Sequence, residues 1–568
     1  MRPILATLVL LWQTPASASS TLASTFGYNT TNATSAFQAA VGSANDTIII
    51  DLQSADWNVG PSSFFDLTNK TLIFQPGVVL RALPGVFNSS GACLLRFRRC
   101  SNITVIGYGA EFIMNKPEYA LLNDSEWRHT LKLDNCSGVV VKGLTLRDSG
   151  GDGIYVGGEI MAGSTINYSE NVLIEDIRAI NHYRQGMSIT SVQNMLVRHC
   201  LFTGTNGTLP ESGVDIEPYL TYQRIIGLVF EKCSFTDNDH CGIQVSMWEM
   251  DDTSLPIDIT FRDCYIAENG RPGHPYGPDP IDLSDDDTPL TGNVLFERCH
   301  VDSSQWTAVN VRKPATSYNA LFTDCAFTNV SQQQILYNTP IWVEVSDYGA
   351  PCTAFGGVQF ANCLLTYDTQ FPYLQCNGWS TSPGPQNVSF SGLVVGPKGA
   401  GVNITNSADT LNCLFVANEV NTAPPTTVGY ALDQAPAEEC SATPIRFDAT
   451  RTAADISYPL PCRYDTSGTV SFGNDAHLMT GSLMIPPNAL SANDTILARW
   501  DDLNENTEEV IIAPLTSAVY TNSQYRSTRS TCSFSALLLR GGRPVRRPAD
   551  ATASLDRPAN VSSRWRGK

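Results

Sequence analysis

Met195-Leu196-Val197-Arg198-His199-Cys200-Leu201-Phe202 and Leu228-Val229-Phe230-Glu231-Lys232-Cys233-Ser234-Phe235 are two copies of one short pattern. Each reads apolar, any, apolar, any, polar, then Cys, any, apolar. The same pattern stands at Val139-Val140-Val141-Lys142-Gly143-Leu144-Thr145-Leu146 and Val172-Leu173-Ile174-Glu175-Asp176-Ile177, and returns from Ile259, Val294, Ala320, Val358 and Val388, at spacings of 23 to 38 residues. Alternation with period two is the signature of a strand, and strands this short are not stable alone. Their repetition at this period points to a solenoid that buries one continuous core by stacking coil on coil.

A second strand follows each first one: Gly153-Ile154-Tyr155-Val156, Gly186-Met187-Ser188-Ile189, Gly213-Val214-Asp215-Ile216 and Gly242-Ile243-Gln244-Val245. Val139 to Tyr155, Val172 to Ser188, Leu228 to Gln244 and Val294 to Asn310 are each 16 positions apart. The offset grows to 20 at Asp215 and 23 at Asp282, which places loop insertions at Thr208-Leu209-Pro210 and at Arg271-Pro272-Gly273-His274-Pro275. The predicted fold is all-β: a parallel β-solenoid of about ten coils, each with three short strands.

On these repeats, and on Thr34-Ser35-Ala36-Phe37-Gln38-Ala39-Ala40-Val41 as a capping helix, the chain resembles the pectin-lyase-like superfamily of right-handed parallel β-helix proteins over roughly residues 35–400. The resemblance implies right-handed coils, as parallel crossovers also favour. It leaves activity open, because this architecture hosts lyases, hydrolases, epimerases and non-catalytic adhesins. The sequence has no Gly-His-Gly turn, no Trp-x-Asp-His, and no paired Asp-Asp with a later Arg-Ile-Lys; Arg312-Lys313 is only faintly similar to the last.

Cys200, Cys233, Cys264, Cys299, Cys325 and Cys363 fall at one repeat position. A linear column offers no tetrahedral cage for a metal, so the expectation is an inward ladder of small apolar thiols. With Ile154, Met187, Val214 and Ile243 inward, the outward row is Tyr155, Ser188, Asp215, Gln244, Asp282 and Asn310; Glu217 and Arg312 stand two positions beyond it in their own coils. Asp215 and Glu217 therefore share a face, roughly 6.5–7 Å apart along the strand. Arg184, Gln185, Glu211 and His240 enter from preceding turns.

Two carboxyl groups with an Arg and a His suit carbohydrate chemistry in two ways. In hydrolysis they act as acid and base. In β-elimination from a uronate, a metal or arginine neutralises the substrate carboxylate while a base removes the adjacent proton. Asp215, Glu217, His240 and Arg184 are the expected catalytic set. Tyr155, Gln185, Ser188, Gln244, Trp248 and Arg312 are the expected substrate contacts, with Trp306 and Trp342 as further stacking surfaces. The run Asp279, Asp282, Asp285, Asp286, Asp287 has the oxygen density that Ca²⁺ prefers, and Asp282, Asp285 and Asp286 are its candidate ligands. The expected function is a secreted enzyme that cleaves a polysaccharide, as hydrolase or lyase. The rival is a non-catalytic extracellular protein that binds a glycan on the same face.

The ends and the composition bound this reading. Arg2, an apolar Ile4–Trp12 and Ala16-Ser17-Ala18 form a leader-like segment over 1–18, too short to span a bilayer. Asn-x-Ser/Thr occurs 15 times, with Asn69, Asn102, Asn167, Asn206, Asn329 and Asn403 among the candidate glycosylation sites, and 16 cysteines permit disulfides in an oxidising compartment. A formal charge of −19 argues against nucleic acid and anionic membranes as partners. The expected organisation is 19–100 as N-terminal cap and first coils, 101–415 as β-helix, 416–524 as a Pro/Thr-rich segment with a small β region, and 525–568 as a disordered basic tail.

Overall fold

The computed structural model describes residues 19–532 except 123–124, 159–167, 272–278, 287–289, 333–338, 346–353, 379–383, 398–400, 405–409, 421–425, 433–444, 454–456, 469–479, 497–507 and 515–529. The leader-like segment, Asn167, Asp287, Cys440 and almost all of the basic tail thus lie outside the described residues. No described helix is long and apolar enough to cross a membrane.

Alternating apolar residues become strands, and every strand of the solenoid pairs parallel to its equivalent in the next coil. One coil is typified by Val192–Arg198, a bend at His199, Leu201–Thr203, a turn, and Ser212–Ile216. The third strands form a sheet of twelve, from Ser62–Phe65 to Val402–Ile404, in unbroken chain order. The right-handed parallel β-helix therefore starts earlier than the repeat makes plain, and its last strand is Leu414–Val420. Thr34–Val41 is the expected helix, with Phe37 buried against the first coils. After the solenoid come two small antiparallel sheets, of three and four strands.

From Asp176 onward the bend is made by a non-glycine residue in the left-handed region, namely Asp176, His199, Lys232, Asp263, Arg298, Asp324 and Asn362, at φ between 51° and 57°. The next residue turns inward, and from Cys200 onward it is the cysteine of the ladder. Cys233, Cys264, Cys299, Cys325 and Cys363 are no more than 1 % exposed. Each Sγ lies within hydrogen-bonding reach of a carbonyl in the preceding coil, as Cys264 does of Phe230 O at 3.6 Å. Beside them Phe230, Phe261, Phe296, Phe322 and Phe360 stack at ring separations of 4.4–4.9 Å. The cysteines of the ladder, from Cys200 to Cys363, are free thiols.

Candidate functional site

The register of the twelve-stranded sheet aligns Tyr155, Ser188, Asp215, Gln244, Asp282 and Asn310 as one row, the row read from the offsets. It extends back to Lys132 and on to Trp342, Gln375 and Asn403. The row is less open than expected. Asp215 is 1 % exposed, and Tyr155, Ser188, Gln185 and Asp282 are buried. An outward side chain on this sheet is covered by the turns beside it and by its neighbours in the row. Glu217 carries the site to the surface, with a third of its side chain accessible.

Arg184 organises the centre. Its side chain is mostly buried, and its guanidinium faces Glu217 Oε2 at 3.2 Å, Glu126 Oε2 at 3.4 Å and Asp152 Oδ1 at 3.9 Å. Asp215 accepts a hydrogen bond from Gln185 Nε2 at 2.8 Å. Burial first, then the charge of Glu217 and a hydrogen bond with it, push the Asp215 carboxyl well above the usual carboxylate range, against the pull of Arg184. Asp215 and Glu217 thus act on one another as two carboxyls of one strand, with Arg184 beside them. Both stand on Ser212–Ile216 or directly after it, on the face the offsets gave them.

Beneath the pair, Asp152 is wholly buried, which raises its carboxyl to about 6. Its backbone N–H donates to His129 Nδ1 at 3.0 Å, and its Oδ2 lies 3.2 Å from the same nitrogen. The His129 ring stacks on Tyr155 at 5.2 Å, Lys132 Nζ sits 3.9 Å from the centre of the Tyr155 ring, and the Tyr155 hydroxyl meets Thr190 at 3.0 Å. Trp127 covers Arg184, ring to guanidinium, at 5.8 Å. Burial, with Tyr155 next, raises the Tyr219 phenol.

The expected residues divide accordingly. Arg184, Gln185, Asp215 and Glu217 are brought together, with Tyr155 and Ser188 in the adjoining coils. His240 has its Nδ1 at 3.1 Å from Pro210 O and 3.2 Å from Cys241 Sγ. The strongest charges on Asp215 are those of Glu217, Arg184 and Asp152. Trp248 is half-buried and donates from its ring N–H to Ser284 Oγ at 2.7 Å, so its edge is pinned. Gln244 accepts from the Ser212 hydroxyl at 3.2 Å.

Arg312 pairs with Asp282 at 2.8 Å, which makes a second acid–arginine contact further along the row. Asp285 turns away from Asp282 into the core, where it accepts from the Ser317 hydroxyl and from the Asp286 N–H, with Lys313 among the charges acting on it. Asp282, Asp285 and Asp286 therefore do not converge as the acidic run suggested. The strand ends after Ser284, and Asp285 follows the turn inward. Among the described residues the three-member group with converging metal-ligand atoms is Glu175, Asp176 and His199, and there Lys142 and Arg198 already pair with Glu175 at 2.6 and 2.7 Å. Of the candidate glycosylation sites, Asn69, Asn102 and Asn403 are exposed, whereas Asn206 and Asn329 are half-buried.

Glu126, Trp127, His129, Lys132, Asp152 and Tyr219 were not legible as site residues. A signal existed for two of them. Gln185 pairs with Ser212, and the offsets of 33 and 23 between neighbouring strands carry that position back to Asp152 and then His129.

The class this architecture defines is the right-handed parallel β-helix, and residues 129–276, which hold most of the site, match the family model described as "Right handed beta helix region". The uncharacterized protein YclG of Bacillus subtilis is 26 % identical over 183 residues, 30 % of this chain and 31 % of YclG, so the chain spans about a third of that relative. Among solved structures, the pectate lyase Pel9A is 13 % identical with a TM-score of 0.35, covering 56 % of this chain and 70 % of its own. The catalytic domain of a GH87 alpha-1,3-glucanase is 12 % identical with a TM-score of 0.43, covering 74 % and 71 %. These likenesses concern the fold alone.

Proposed function

We propose that the protein is a polysaccharide-cleaving enzyme, and that Asp215 and Glu217 act as one acid dyad. The observation that carries this reading is a deeply buried carboxyl and a partly exposed one, two positions apart on one strand and beside a single arginine. Burial, with the neighbouring charge of Glu217, keeps the proton on the Asp215 carboxyl. Asp215 is the acid of the pair, and Glu217 is its partner nearer the surface. In hydrolysis the dyad protonates the glycosidic oxygen as the C–O bond breaks. Water adds at the anomeric carbon and releases the second proton. Glu126, held on the other side of Arg184, is the surface carboxylate available to activate that water.

The rival reading, a glycan binder without chemistry, leans on exposed aromatic platforms, and the pinned Trp248 supports it poorly. A polysaccharide panel, with and without Ca²⁺, tests the proposal by following reducing ends and unsaturated products. The expected result is new reducing ends that Glu217→Gln abolishes. Cleavage at the parental rate by an Asp215→Asn/Glu217→Gln double variant places the chemistry elsewhere and defeats the proposal.

A further inference from the structure

We infer that the glycan this face accepts carries no carboxylate groups: an uncharged polysaccharide recognised through its hydroxyls, not a polyuronate. The inference rests on the site proposed above and narrows its substrate.

Its first support is the state of the cations. Between residues 131 and 344 the lysines and arginines on the row or flanking it in the described strands are Lys132, Arg184 and Arg312; one coil earlier Arg96, aligned with Lys132, pairs with Asp134 at 2.6 Å. Each already has an acid of the protein beside it. Lys132 lies 3.8 Å from Asp134 and rests on the Tyr155 ring. Arg184 is enclosed by Glu126, Asp152 and Glu217. Arg312 is bound to Asp282, and Asp279 and Glu344 act on it as well. Lys313, next in the chain, is fully buried and turned to the Tyr318 ring at 4.8 Å. A uronate placed here would meet carboxylates that outnumber these three cations, and a carboxylate desolvated among like charges is strongly disfavoured. Elimination from a uronate needs a cation on the substrate carboxylate, and here each arginine already has acids to balance.

The second support is independent of charge. Tyr219 OH, Asp282 Oδ1 and Asn310 Oδ1 are buried on this face without a hydrogen-bond partner, and Arg312 Nε is likewise unpaired. Asp282 itself is 3 % exposed. Buried polar atoms left unpaired are costly, and sites that leave them so are completed by a ligand or water. The set mixes acceptors with a donor and a hydroxyl. A sugar hydroxyl both donates and accepts, so it satisfies every member. A carboxylate only accepts, and would satisfy the N–H while opposing Asp282.

The test uses the full chain carrying Glu217→Gln, so that binding is read without turnover, alongside the parental protein for cleavage. Probes are soluble uncharged polysaccharides (a β-glucan, an α-glucan, a galactomannan, a xylan free of uronic side groups) against polygalacturonate and alginate. Binding is measured by affinity electrophoresis at low and high NaCl. The expected result is that at least one uncharged polymer binds at least about tenfold more tightly than either polyuronate, with affinity changing less than about twofold on adding salt, because hydroxyl contacts are not screened. Asp282→Asn and Asn310→Ala are expected to weaken that binding severalfold. Preferential binding of a polyuronate that weakens with salt, or its cleavage to unsaturated products, overturns the inference while leaving an enzyme in place. Binding of an uncharged polymer without cleavage leaves the inference standing and defeats the enzymatic proposal. Failure of every polymer to bind defeats both.

Discussion

Two columns of the same solenoid show what a repeat does and does not constrain. At the bend, one position is cysteine in six coils from Cys200 to Cys363, and beside it phenylalanine stacks from Phe230 to Phe360 at a nearly constant interval. On the twelve-stranded sheet the outward row changes at every step: Lys132, Tyr155, Ser188, Asp215, Gln244, Asp282, Asn310, Trp342. The backbone is equally regular in both places. Inside, each side chain must fit the copies above and below it at close-packed density, so one solution recurs. Outside, the neighbours are turns and water, and the row is free to hold differing groups next to one another. The proposed chemistry needs that freedom, because Asp215, Glu217 and Arg184 are different residues in adjoining coils.

The contrast can be broken most sharply at the row. Glu217→Gln is expected to lower turnover by about 10²–10⁴-fold while the folded protein keeps its melting temperature within a few degrees, as befits a partly exposed side chain. Turnover within a factor of two of the parent would place the chemistry off this row. In the ladder the expectation reverses. Phe296→Ala removes a ring stacked on both sides and is expected to cost about 3–5 kcal/mol in denaturant unfolding, with activity per folded molecule unchanged. A smaller effect of the same kind, about 1–3 kcal/mol, is expected for Cys233→Ala. Selective loss of activity in a folded Cys233 variant would show that the ladder is not merely packing.

The smallest predicted effect concerns pH. The Asp152 carboxyl is raised by burial from the ordinary value to about 6. The folded protein therefore binds that proton more tightly than the unfolded chain does. Its contribution to stability is complete below about pH 4 and is lost as pH rises to about 6. His182, driven by burial down to about 3, has the opposite slope: its contribution is present above about pH 6.5 and is lost on acidification. The parental profile alone cannot separate the two, but the difference between parent and Asp152→Asn can. Relative to the parent, the variant is expected to gain up to about 2 kcal/mol between pH 4 and 6. A difference that stays flat across that window would mean the carboxyl is not desolvated as its burial implies.

Glu217→Gln also sharpens the reading of the dyad itself. With Glu217 neutral, the charge that helps hold the proton on Asp215 is gone, and the Asp215 carboxyl is expected to titrate lower, as NMR of the carboxyl carbon would report. No movement would mean that burial alone sets its value.

Local pattern was sufficient for the architecture. Period-two alternation, the constant offset of 16 and the cysteine position fixed the strands, the inward column and the order of the outward row, because in a solenoid each coil repeats its neighbour and register follows from spacing. The capping helix and the adjacency of Asp215, Glu217, Arg184 and Gln185 were legible for the same reason. What spacing does not encode is depth, direction and company. Only the folded chain decided that Asp215 is buried, that Arg184 lies against Glu217, that Asp285 turns to the core instead of joining Asp282, and that His240 Nδ1 lies near Pro210 O. Those outcomes depend on turns of unequal length, each of which covers part of a neighbouring coil. Glu126, His129 and Asp152 complete the centre from such turns. A repeat determines where a side chain starts; the irregular segments between repeats determine the dielectric and the partners it ends among, and from these come its protonation and its chemistry.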